Sequence, residues 1–171
     1  MTIQTTLISQ IYIGYFNRAP DPSGLNYWVG QMQSGQSMVA IAESFAHQSE
    51  ALSINAYLAN PVNGSADSFL NIIYQNLFNR APDAAGLAYW KGELSSGKPV
   101  GRMIVDIISG AQGVDKTVIG DKAAAAQNYV DQLSNSSATF SFTDARRAVT
   151  DAGASISQLV QSQPAQQNLD A

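Results

Sequence analysis

The run Tyr12-Ile13-Gly14-Tyr15-Phe16-Asn17-Arg18-Ala19-Pro20-Asp21-Pro22-Ser23-Gly24-Leu25-Asn26-Tyr27-Trp28-Val29-Gly30 returns 62 residues later as Tyr74-Gln75-Asn76-Leu77-Phe78-Asn79-Arg80-Ala81-Pro82-Asp83-Ala84-Ala85-Gly86-Leu87-Ala88-Tyr89-Trp90-Lys91-Gly92. The register holds through Ser34-Gly35 and Ser96-Gly97 without an insertion, so loop lengths repeat along with residue types. A tandem duplication of this kind restricts the fold to one supersecondary unit used twice, its two copies burying apolar surface against each other.

Each copy reads as helix, tight corner, helix, stop, helix. Leu7, Ile8, Ile11, Tyr12, Tyr15 and Phe16 recur at three- and four-residue steps, the period of a helix face sunk in a core, as do Phe69, Ile72, Ile73 and Leu77. Pro20 and Pro82 push the preceding alanines out of helical geometry. The first helix therefore stops near Asn17 or Asn79, residues that tolerate left-handed backbone. Asp21 and Asp83 are placed to cap the next helix, with Pro22 suited to its first position. That second helix carries Leu25, Trp28 and Met32, or Leu87, Trp90 and Leu94, and ends at Gly35 or Gly97. A third helix carries Met38, Ile41, Ala42 and Phe45 in one copy. In the other it carries Met103, Ile104, Ile107 and Ile108, with Pro99 near its first turn.

Outside the copies the pattern is looser. Ser49 to Leu58 suggests a connecting helix capped at Ser49, and Asn60-Pro61-Val62-Asn63-Gly64 a hinge loop. An alanine-rich helix is expected from Asp121 or Lys122 to Leu133, with Ala126, Tyr129, Val130 and Leu133 inward. Two further helices are expected, one capped at Thr143 or Asp144 and running through Val149, the other from Ser155 through Val160. The expected organisation is a single all-α domain over 1–162, with repeat one at 7–50, repeat two at 69–112 and C-terminal helices at 121–160. Residues 163–171 read as a polar tail or linker.

Composition removes several function classes. Nine Lys plus Arg against thirteen Asp plus Glu give a net charge of −4 and an isoelectric point near 4.7, with no footprint for nucleic acid. Cysteine is absent, which excludes disulfides, thiolate zinc sites and thiol nucleophiles. No apolar run approaches the roughly 18 residues of a membrane span, the oiliest stretch, Met103 to Ile108, being broken by Asp106. Met1 to Gln10 lacks the basic, apolar and small-residue succession of a signal peptide.

The lone histidine, His47, lies in Phe45-Ala46-His47-Gln48-Ser49, which forms no nucleophile–base pattern, and reads as a helix-end residue. The carboxylates Glu43, Glu50, Asp106, Asp115 and Asp121 are scattered, without an Asp-x-Asp-x-Asp-Gly loop. A loop at Asp115 to Asp121 is left as a weak calcium candidate, and no cofactor or other metal site is expected. Trp28 and Trp90, with Tyr12, Phe16, Tyr74 and Phe78, are expected in the core. Tyr27 and Tyr89 point about 100° away from their neighbouring tryptophans, so beside a structural reading they have a surface one, in which they stack on a sugar ring. Arg18 and Arg80 have a structural reading, pairing with Asp21 and Asp83 or capping helix one, and a binding reading, recognising carboxylate or phosphate. Pro20, Pro82, Gly24 and Gly86 complete the structural motif.

The Tyr…Phe-Asn-Arg-x-Pro-Asp-x-x-Gly-Leu-x-Tyr-Trp signature resembles a bacterial domain family of unknown function found in surface-layer proteins, RTX-type calcium-dependent secreted proteins and adhesins. The likeness spans Leu7 to Gln112, and members often have Gly where Asn17 and Asn79 stand. It implies a non-enzymatic extracellular helical module of a larger protein, sent out by type I secretion through an uncleaved C-terminal signal. The glycine- and aspartate-rich calcium nonapeptides of RTX proteins do not occur here. By analogy with surface-layer anchoring domains, the implied partner is cell-surface polysaccharide, either lipopolysaccharide or capsule, contacted by Tyr27, Tyr89, Arg18 and Arg80. The alternative is assembly of neighbouring copies into a layer.

Overall fold

The computed structural model describes residues 1–162, which form helices without a strand. Each repeat contributes three: α1 (Ile3–Phe16), α2 (Pro22–Gln33) and α3 (Met38–Ala46), then α6 (Ala66–Phe78), α7 (Ala84–Ser95) and α8 (Val100–Ser109). Between them lie the short α4 (Ser49–Ile54) and α5 (Ala56–Ala59), and α9 (Gly113–Ser134) and α10 (Phe142–Ser162) close the fold.

The corner chemistry follows the residue types. Asn17 and Asn79 end α1 and α6 in left-handed backbone, at φ 50° and 58°. Asp21 Oδ2 accepts the Gly24 N–H at 2.8 Å, and Asp83 Oδ1 accepts that of Gly86 at 2.7 Å. These caps satisfy N–H groups that a helix start leaves without partners. Burial alone would raise the Asp21 carboxyl, but hydrogen bonds from Ser23 and Gly24 outweigh it and hold its pKa below the ordinary value. Gly35 and Gly97 take φ 98° and 89°, and their N–H groups turn back to Met32 and Leu94.

The two repeats face each other, α1 against α6 and α3 against α8. Asn76 Nδ2 donates to the Gly14 carbonyl at 2.9 Å, and these residues are equivalents under the 62-residue offset. Equivalent residues meet in this way around a local twofold axis. The α3–α8 contact depends on Gly101, where a Cβ would lie 2.2 Å from the Glu43 backbone nitrogen. The Gly101 N–H donates to Glu43 Oε2 at 2.6 Å across the same contact.

One core joins both repeats to α9 and α10. Phe45 is its aromatic hub in repeat one, with ring centroids of Tyr12 at 4.9 Å, Trp28 at 5.0 Å and Phe16 at 5.6 Å. In repeat two the equivalent position is Ile107, so that half has no such hub, although Phe69 and Phe78 are buried there. Trp28 and Trp90 are half-buried at the margin of the core, not inside it, because each must also cover its neighbouring corner. Tyr74 is likewise half-buried, while Tyr12, Phe16 and Phe78 are buried as expected. Ile72 is 38% exposed although its spacing marks it as inward; the adjacent Ile73 takes the core position.

Four expected helices change their bounds. The single connector breaks at Asn55, whose backbone is extended at φ −125°, and its first helix is preceded by Gln48 and has no side-chain cap. Helix α9 starts at Gly113, two turns ahead of Asp121, because only Val118 and Ile119 mark its early inward face. The two expected C-terminal helices are one, α10, with Ser141 Oγ accepting the Asp144 N–H at 3.3 Å. Gly153 does not end it. A Cβ there would collide with the Lys122 stem and the Asn79 amide, so this glycine serves close helix packing. The expected tail over 163–171 lies outside the described residues.

Candidate functional site

The two Asn-Arg-x-Pro-Asp corners are built alike from the chain upward. Arg18 Nε and Nη2 donate to the two Glu50 carboxylate oxygens at 2.8 and 2.7 Å, and Nη1 donates to the Ala19 carbonyl at 2.9 Å. Arg80 repeats this with Asp115 at 2.8 and 2.5 Å, and with the Ala81 carbonyl at 3.0 Å. Neither arginine forms an ion pair with the capping aspartate of its own corner; each reaches the first turn of a later helix, α4 or α9. The caps explain this, since Asp21 and Asp83 already accept backbone N–H groups. Underneath, the Arg18 guanidinium lies 5.1 and 5.3 Å from the Tyr12 and Phe16 rings, and Arg80 lies 5.4 and 6.0 Å from Tyr74 and Phe78.

Above the guanidinium the corners differ. Phe140 and Phe142 stand 5.5 and 5.0 Å over Arg18, which is thereby sandwiched between four rings. The strap that carries them is tied down by Tyr129, whose hydroxyl accepts the Ser141 N–H at 3.1 Å. It is tied again by the Ala19 N–H, which donates to the Ala145 carbonyl at 2.9 Å. Side-chain exposure falls to 5% for Arg18 and stays at 46% for Arg80. Arg18 is therefore out of reach of a polysaccharide, whereas Arg80 keeps an exposed face although its Nε–Nη2 fork is taken by Asp115.

Tyr27 and Tyr89 are 58% and 56% exposed, in line with the surface reading, each packed edge-on against its tryptophan with centroids 4.9 and 4.8 Å apart. The tryptophans are anchored from below. Trp90 Nε1–H donates to the Tyr74 hydroxyl at 2.9 Å, and Trp28 hydrogen-bonds Tyr12. Burial, aided by the Asp21 charge, pushes the Tyr12 hydroxyl up to about 12. A Cβ on Gly24 would lie 2.5 Å from that hydroxyl, which accounts for the first motif glycine.

The remaining candidates take structural places. His47 ends α3 with Nδ1 2.9 Å from the Glu43 carbonyl, beside a cavity of about 160 Å³ shared with Tyr57 and Lys98. The stretch Asp115 to Asp121 is helix, not loop, and Asp115 is held by Arg80, so the calcium candidate loses its ligand geometry. Among the described residues no three acidic or histidine side chains gather to hold a metal.

Sequence reasoning also missed a buried cation. Lys122 is fully buried, its Nζ donating to the Asn76 carbonyl in the last turn of α6 at 2.5 Å. Burial lowers its pKa to about 8. Its place among the alanines of α9 is the only sequence signal, since Asp121 and Lys122 read equally well as a solvated helix start.

A family model described as a domain of unknown function, DUF4214, matches residues 2–55 and again residues 42–111. The chain belongs to the DUF4214 family. The second DUF4214 match begins inside α3 and takes in the α4–α5 connector, so the two matches share the segment that supplies Glu50 to the first corner. No curated protein and no solved structure matches the chain.

Proposed function

We propose that this chain is a non-enzymatic module of a bacterial surface or secreted protein, exported by type I secretion, that attaches to lipopolysaccharide or capsule through Tyr27 and Tyr89. The observation that carries the reading is the doubled display of these two rings. The rest of each signature is occupied in building its corner, yet both copies leave the same tyrosine in water, braced by an anchored tryptophan. An amphipathic ring held rigid at a surface gains contact area on a sugar face at little entropic cost. Purified outer-membrane polysaccharide should retain the protein, tested with and without calcium, and Tyr27→Ala with Tyr89→Ala should abolish retention. No retention of the parent chain in either condition removes this reading.

A second reading, assembly with protein partners, is favoured by the uncovered Arg80 corner. Concentration-dependent light scattering separates it from glycan attachment, since a strict monomer at high concentration speaks against self-assembly.

A further inference from the structure

We propose that the Arg80–Ala81 corner is a docking site for a protein segment bearing a Phe-x-Phe pair at the start of a helix. It would be held as the chain's own Phe140-Ser141-Phe142 strap is held on Arg18. The inference deepens the assembly reading and is independent of glycan binding by the tyrosines.

The chain itself supplies the template. At corner one the strap brings two rings over the outer face of Arg18, and the first turn of the helix that follows brings the Ala145 carbonyl to the Ala19 N–H. Corner two reproduces every group on the receiving side: the stacked guanidinium, the bidentate carboxylate, the turned-back carbonyl and the two rings below. It lacks only the strap. Arg80 keeps its outer face in solvent, and the Ala81 N–H, equivalent to that of Ala19, has no protein acceptor among the described residues.

The chemistry of what is left open selects the occupant. Asp115 already takes the Nε–Nη2 fork that would match a phosphate or carboxylate, and Nη1 gives one of its two N–H groups to the Ala81 carbonyl, so three of the five guanidinium donors are engaged. Besides one N–H on each Nη, what remains is the flat face of a guanidinium whose charge is balanced by Asp115, and such a face attracts aromatic rings. A backbone N–H beside it asks for a carbonyl, which the first turn of the helix after the ring pair supplies at corner one through Ala145.

The test uses the full chain, isotope-labelled for NMR, titrated with a synthetic peptide of residues 138–150. Shifts are expected at Arg80, Ala81 and Tyr74. They should vanish with a peptide carrying Phe140→Ala and Phe142→Ala, and affinity should fall about tenfold in Arg80→Ala, the loss of one desolvated cation–π contact. Arg80→Lys keeps the charge and should weaken binding too, which guards against a folding defect in the alanine variant. The proposal is overturned if the peptide leaves those resonances unmoved at millimolar concentration. Binding that ignores both Arg80 variants, or inorganic phosphate moving the resonances where the peptide does not, overturns it as well. Self-association that Arg80→Ala leaves intact would keep assembly and reject this corner as its site.

Discussion

Arg18→Ala and Arg80→Ala remove the same residue from the same motif, yet the structure gives them unequal costs. At corner one the substitution strips a bidentate partner from Glu50 and empties the space between four rings. Breaking a buried pair costs about 3–5 kcal/mol. Glu50 is 32% exposed and regains some hydration, so the lower end, about 3 kcal/mol, is expected. At corner two the arginine is 46% exposed and Asp115 17%, so water at the guanidinium holds the loss near the upper end of the exposed-pair range, about 1 kcal/mol. For a chain of this size each kcal/mol moves the midpoint by about 2–4 °C, so Arg18→Ala should melt about 6–12 °C early. Arg80→Ala should lose no more than about 4 °C. Thermal and urea denaturation followed by far-UV circular dichroism measure both. Losses that agree within about 0.5 kcal/mol would refute the claim that the strap makes the corners different.

Asp21→Ala and Asp83→Ala should each cost about 0.5–2 kcal/mol in urea unfolding through the lost helix cap. Gly101→Ala should be strongly destabilising, by at least about 3 kcal/mol, because its Cβ meets backbone that cannot move aside. Gly92→Ala, with open space around its Cβ, should stabilise α7 by about 0.4–1 kcal/mol; the reverse order in urea would mean the α3–α8 approach is misplaced. Lys122, with its folded pKa lowered to about 8, is destabilised as a cation, so its contribution improves as pH rises from about 8 towards its unfolded value near 10.5. The stability of the parent chain relative to Lys122→Met should therefore rise across that window by up to about 3 kcal/mol, and a flat difference would show that the ammonium is well solvated.

What the residues revealed in advance was whatever depends on local backbone demands. Asn17 and Asn79, the Asp caps and the Gly35 and Gly97 stops each satisfy a stereochemical need within a few positions, and all are found where the motif put them. The arginine partners were hidden because they break the repeat: Glu50 lies 32 residues beyond Arg18, but Asp115 lies 35 beyond Arg80. Position 112, the strict equivalent of Glu50, is glutamine. Helix α10 was expected as two, one through Val149 and one from Ser155, and nothing in the sequence tells that Gly153 between them serves packing within one continuous helix. The strap was unreadable for a related reason. Phe140 and Phe142 lie outside both copies, and nothing in their spacing names the arginine they cover.

Amide hydrogen exchange at Ala19 and Ala81 tests the central contrast most directly, since it reads the same backbone position in the two copies of one molecule. With its N–H bonded to the Ala145 carbonyl beneath the strap, Ala19 should exchange only through large-scale opening, whereas Ala81 should exchange close to the unprotected rate. Comparable protection at the two alanines would contradict the account, leaving no open corner for a partner to fill.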